Sequence, residues 1–221
     1  MVFDGKYNPV DLNAFINEFQ KQLTLPLPGR DAQLKMASTI RHKEAGFNYD
    51  TSSATKSSVL ISLYPKGNNL NTVFILRQTY DGVHPGQVSF PGGRLEPEDI
   101  SLVHTALREA EEEVNINAGK VKVLGTLSEL YIPPSNYIVL PVIGLHDKRP
   151  DLQADISEVA AIIETDLSFL FDEKRIKQKF IQINNQKIDA PYFDVQGNVI
   201  WGATAMILSE LKEVILRIQL S

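Results

Sequence analysis

The chain has 221 residues, 43% apolar and 22% charged, a balance that suits one globular unit with a sizeable core. A formal net charge of −5 argues against a broad nucleic-acid-binding surface, and the lack of cysteine excludes disulfides, thiolate metal sites and a cysteine nucleophile. No apolar stretch approaches membrane-spanning length, MVFDGKYNPVD shows no signal peptide, and IQLS is not a peroxisomal tail, so the expected location is the cytoplasm with no membrane partner.

In chain order, Asp11 is placed to cap a helix whose apolar residues Leu12, Phe15, Ile16, Phe19 and Leu23 keep a helical period. That apolar face has two uses: docking on the rest of the domain, or covering a partner chain in a homodimer. Pro26, Pro28 and Gly29 end the helix, and residues 30–56 read as a short helix and loop. Two runs rich in β-branched and apolar residues follow, 58–64 and 72–77, joined by the turn-rich PKGNNLN; they read as antiparallel strands. A brief strand at 87–90 leads into Pro91-Gly92-Gly93. Further strands are expected at 120–129, 137–145 and 158–163, with a loop at Pro133-Pro134-Ser135-Asn136. A short helix starts at Asp166, a hairpin spans 180–193 around Asn184-Asn185, and residues 203–218 close the chain as a helix. Strands with helices on both sides imply an α/β/α sandwich.

The stretch from Gly92 to Ile116, GGRLEPEDISLVHTALREAEEEVNI, carries the chemistry. On a helix, Val103, Leu107, Ala110 and Val114 fall on one side. Glu109, Glu112 and Glu113, at i, i+3 and i+4, gather on a second face beside it. Three clustered carboxylates repel one another, a cost that makes sense around a hard divalent cation such as Mg²⁺ or Mn²⁺. Arg108 lies within a turn of Glu111 and Glu112 and is placed to orient one of them. A solvated acidic face would explain the carboxylates alone, but not FPGG before the helix or the Arg-Glu pair in register.

This stretch resembles the Nudix box, G-x5-E-x7-R-E-U-x-E-E-x-G-U, with U a bulky apolar residue. Arg108, Glu109, Ala110, Glu112, Glu113 and Ile116 match its second half. There are two departures. Asp99 stands where Glu is usual, with eight residues rather than seven before Arg108, and Asn115 replaces the last Gly. Asn also adopts the left-handed conformation that a helix end needs. The resemblance implies a Nudix-type α/β/α sandwich with a mixed sheet over residues 41–221, preceded by a helical extension over 1–40. It implies metal-assisted hydrolysis of a nucleoside diphosphate derivative, with Glu109, Glu112, Glu113 and a Gly92 carbonyl as metal ligands.

The preceding segment, FILRQTYDGVHPGQVSFPGG, resembles the one before the box in the coenzyme A diphosphatases, L-L-T-x-R-(S/A)-x3-R-x3-G-x3-F-P-G-G. Arg77 matches the first Arg, and Gly86, Phe90, Pro91, Gly92 and Gly93 match the tail; Gly82 sits where the second Arg would be. LPGRDAQLKMA, PPSNYIVLPVIG and IWGATAMIL also look like this subgroup. Coenzyme A or an acyl derivative is therefore the expected substrate, cleaved to 3′,5′-ADP and 4′-phosphopantetheine. ADP-ribose, another nucleoside diphosphate derivative, or a silent nucleotide-sensing domain are the alternatives. Arg77, His84 and Gly93 are the candidate substrate contacts, with Arg77 the cation suited to the 3′-phosphate. Glu109, Glu112 or Glu158 is the candidate base, and Arg108 completes the catalytic set. Tyr131 and Tyr137, near the Pro-Pro loop, either line a pocket or pack in the core.

Overall fold

A computed structural model describes residues 12–43, 46–67, 69–78, 86–183 and 186–218. Helices α1 (Leu12–Thr24), α2 (Gly29–Leu34) and α3 (Thr39–Lys43) precede strands β1 (Thr55–Lys66), β2 (Asn69–Arg77), β3 (Val88–Ser89) and β4 (Gly92–Arg94). Helix α4 (Leu102–Val114) is followed by β5 (Lys122–Thr126), β6 (Leu130–Ile132), β7 (Tyr137–Leu145) and β8 (Val159–Asp166). Strands β9 (Ile176–Ile183), β10 (Gln186–Val195) and β11 (Asn198–Trp201) lead to the closing helix α5 (Gly202–Leu216).

Eight strands form one mixed sheet along the path β3-β2-β1-β7-β5, with β4, β6 and β8 pairing off it; β1 and β7 are parallel neighbours. Strands β9 to β11 form a separate antiparallel sheet. Side chains alternate across a strand, so β1 supplies two cores. Leu60 joins Ile75, Val142, Ala106, Ala110, Val114 and Ile116 under α4. Ile61 and Leu63 join Phe74, Phe90, Ile143 and the buried faces of α1 and α5 on the other side. This is the expected sandwich with its mixed sheet.

Helix α1 takes the docking use of its apolar face: Phe15, Ile16 and Phe19 are buried in the larger core. Burying such a side chain is worth about 1.5–3 kcal/mol. Asp11 lies outside the described residues. Residues 30–56 hold two short helices rather than one, and Gly29 opens α2, with φ +57°, instead of ending α1. The fully buried Glu210 of α5 ties this region down: it accepts from Gly29 N–H (3.0 Å), Ser128 N–H (3.2 Å) and Gln33 Nε2 (2.9 Å).

Helix α4 begins where Ser101 Oγ accepts from His104 N–H (3.1 Å) and ends on Asn115 at φ 60°, ψ 31°. Asn115 thus does the work of the box glycine. The buried stripe differs from the expected one: Thr105, Ala106, Ala110, Glu113 and Val114 are buried, while Val103 and Leu107 are only partly covered. The helix is rotated toward its carboxylates because β4 runs beneath them and shields Glu113.

Candidate active site

The site lies where β1 and β2 diverge. Pairing β1 to β2 runs from Leu63↔Thr72 to Lys66↔Asn69. Beyond it the two strands part, and β3 and β4 fill the gap: β3 pairs Ile75 and Leu76, while β4 pairs Ser57, Ser58 and Val59. A backbone threaded between two strands leaves no room for side chains. A Cβ on Gly92, at φ +156°, would lie 2.3 Å from Ser58 O, and one on Gly93 would lie 2.3 Å from Glu109 Oε1. Only glycine lets the chain pass and lets α4 lay its carboxylates on it.

Glu113 is 2% exposed: of the face the three glutamates share, this one sits at the core edge. Its carboxylate accepts from Gly92 N–H (2.8 Å) and Arg77 Nη1 (3.3 Å). Burial nevertheless pushes its pKa up to about 7, against the pull of Arg77 and the Gly92 N–H. Burial likewise raises Glu109, opposed by Arg108. The charge of Glu158 raises both, which puts this exposed residue within electrostatic reach of the pair. Glu158 arrives there because Val159 pairs with Arg77 and Gln78 N–H donates to Glu158 O (3.0 Å).

Arg108 makes more contacts than expected, and different ones. Its Nη1 reaches Glu109 (3.1 Å) and Glu112 (2.9 Å), but no bond to Glu111 is formed. Its Nε (3.0 Å) and Nη2 (2.9 Å) grip Asp99 in a fork, and Nη2 also donates to Arg94 O (3.2 Å). The Asp99 carboxylate is fully inaccessible. Arg108, with help from the Glu96 N–H, His104 and Thr105, holds it well below the usual carboxylate range despite burial. The substituted box position therefore anchors the arginine that touches two of the glutamates. His104 and Thr105 were not legible as part of this knot; the one signal was the spacing of Asp99 from Arg108.

The structure thus brings together Arg77, Gly92, Gly93, Arg108, Glu109 and Glu113, with Glu158 beside them. Glu112 is 58% exposed and turned to Arg108. His84 and Gly82 lie outside the described residues. Carboxylates gathered around a glycine backbone, one of them buried, are oxygen donors that fit a hard divalent cation. Among the described residues no three acidic or histidine side chains already converge on one point. Glu113 is spent on Gly92 N–H and Glu112 on Arg108, but Glu112 and Glu158 are exposed and turn at little cost.

Comparison with known proteins agrees with this geometry. Residues 55–178 match the family model of the NUDIX domain. A Photorhabdus laumondii protein named "Uncharacterized Nudix hydrolase NudL" is 34% identical over 205 residues, covering 92% of this chain and 97% of its own. Its Yersinia pestis namesake is 33% identical over 206 residues, covering 91% and 94%. Among solved structures, the M. smegmatis Nudix hydrolase RenU superposes with a TM-score of 0.52 over 76% of this chain and 89% of its own, at 15% identity, a likeness of fold. Among the described residues no helix is long and apolar enough to cross a membrane. The chain belongs to the Nudix hydrolase family and is a diphosphatase acting on a nucleoside diphosphate derivative.

Proposed function

We propose that the protein hydrolyses the diphosphate bond of coenzyme A or an acyl-coenzyme A, yielding 3′,5′-ADP and the (acyl-)4′-phosphopantetheine. The observation that carries the chemistry is the buried Glu113 beside Glu109 on the Gly92–Gly93 backbone, faced by Arg77. The choice of substrate is supported by the segment around Arg77, which resembles the one before the box in the coenzyme A diphosphatases.

Glu109, Glu112 and Glu113, with the Gly92 backbone, would hold Mg²⁺ or Mn²⁺, whose charge neutralises the diphosphate and makes a bound water more acidic. Arg108, itself locked by Asp99, keeps Glu109 and Glu112 aimed. Glu158 takes the proton as the water oxygen bonds to phosphorus and the bridging P–O bond breaks. Arg77, beside Glu113, stabilises charge on the phosphoryl oxygens. Its bond to Glu113 favours this diphosphate role over the 3′-phosphate contact expected from sequence.

The test is a substrate panel of coenzyme A, ADP-ribose, NADH, diadenosine polyphosphates and oxidised nucleotides, with products resolved by mass. Release of 3′,5′-ADP at the highest kcat/KM in the panel is expected. Efficient cleavage of ADP-ribose with coenzyme A ignored would make the missing arginine at Gly82 the better guide.

A further inference from the structure

Tyr131 stands at the same end of the sheet as the carboxylates, and two further aromatic rings, Tyr49 and Phe47, follow from it. Tyr131 of β6 pairs with Ile138 of β7, Ile138 with Lys56 of β1, and β1 with β4 at Ser57↔Arg94 and Ser58↔Gly93. Three strand spacings separate Tyr131 from β4, about 14 Å. Residues paired across strands share a face, and Lys56 and Ser58 lie on the same one. Tyr131 therefore projects from the face on which Glu109 covers Gly93.

On Tyr131 lies Tyr49, with ring centroids 5.2 Å apart, and Phe47 meets Tyr49 edge-on at 6.3 Å. The rings are held: Tyr131 Oη donates to Asn136 Oδ1 (3.0 Å), Arg41 Nη2 donates to Tyr131 O, and the Arg41 guanidinium lies 5.9 Å above the Tyr49 ring. Phe47, by contrast, is 61% exposed. Its edge contact with Tyr49 leaves most of the ring open to solvent, beside aromatic neighbours that are held in place.

We infer that Phe47, Tyr49 and Tyr131 form a shelf on which the nucleobase of the substrate stacks while its diphosphate lies at the carboxylates. The inference rests on the diphosphate placement proposed above. A flat base suits an open shelf, because one π-face supplies the contact and the other stays in solvent. An acyl chain would need an enclosing apolar groove. The separation of about 14 Å between Tyr131 and β4 is of the size a nucleoside spans when extended from its diphosphate.

Binding of ADP and of inorganic pyrophosphate to the full chain with Mg²⁺, measured by calorimetry, tests this without turnover. Phe47→Ala should weaken ADP roughly 5- to 20-fold and leave pyrophosphate unchanged, the effect of one lost stacking contact. Phe47→Trp should restore ADP binding, and because Phe47 is exposed neither variant endangers the fold. Equal effects on the two ligands, no effect on either, or a change in oligomeric state with ADP affinity intact would overturn the shelf. A protein that cleaves nothing in the panel but binds ADP through Phe47 would refute the proposed activity and leave the shelf standing.

Discussion

Arg77 Nη1 lies 3.3 Å from Glu113 Oε1, so the last residue of β2 is tied to the last acidic residue of α4. In the proposed reaction a cation held there serves the reacting diphosphate. Arg77→Ala should lower kcat/KM on coenzyme A and on 3′-dephospho-coenzyme A by the same factor, roughly 10- to 100-fold, as for a charged hydrogen bond worth about 1.5–3 kcal/mol. A loss confined to coenzyme A would return Arg77 to the 3′-phosphate.

Glu113 makes the metal-free protein sensitive to pH. Its folded pKa, about 7, exceeds the unfolded value of 4.5, so its contribution to stability is complete below pH 4.5 and fades as pH rises through 7. The full swing is on the order of 3 kcal/mol. With chelator present, the melting temperature of wild type relative to Glu113→Gln should fall between pH 5 and 8. Turnover of Glu113→Gln should be nearly abolished. A pH-independent difference in melting would mean that burial does not perturb this carboxyl.

Asp99→Glu would restore the usual box residue, yet it should destabilise the protein by about 1–3 kcal/mol, the cost of forcing a methylene into a filled space. The Asp99 carboxylate is inaccessible and already gripped by Arg108, His104, Thr105 and the Glu96 N–H. Asp99→Asn should weaken Mg²⁺ affinity through a loosened Arg108. Urea unfolding and metal titration read the two effects separately; a stabilised Asp99→Glu would show spare room beside the arginine.

Glu158 is exposed, so Glu158→Gln should leave the melting temperature unchanged. As the general base its loss should cost roughly 10²- to 10⁴-fold in kcat with KM little changed. A kcat equal to that of wild type would reduce Glu158 to a surface residue of the β8 edge.

Local pattern carried much of this fold into view. Runs of β-branched and apolar residues marked β1 and β2, and a helical period marked α1 and α4, because each of these elements is long enough to leave a pattern of its own. Strands β4, β6 and β11 were not legible. They have three, three and four residues, and they exist only because a neighbouring strand offers them partners. The acidic triplet and Arg108 could be read from spacing along one helix. The burial of Glu113 could not, since it depends on β4 passing underneath. The Asp99 knot and the Phe47–Tyr49–Tyr131 shelf join segments far apart in sequence, where spacing carries no information.

The buried Glu210 bears on the order in which the molecule is completed. Gly29 and its acceptor are 181 positions apart, and Ser128 is 82 from the same carboxylate. During synthesis, the sheet and the acidic helix emerge well before α5. Until that helix docks, the N–H groups of Gly29 and Ser128 lack their carboxylate acceptor and have only water to bond. Contacts of such separation form late and slowly. A ribosome-stalled chain ending before Glu210 should therefore present the carboxylates of α4 while its N-terminal helices remain open to proteases, a window that closes with the last turns of α5.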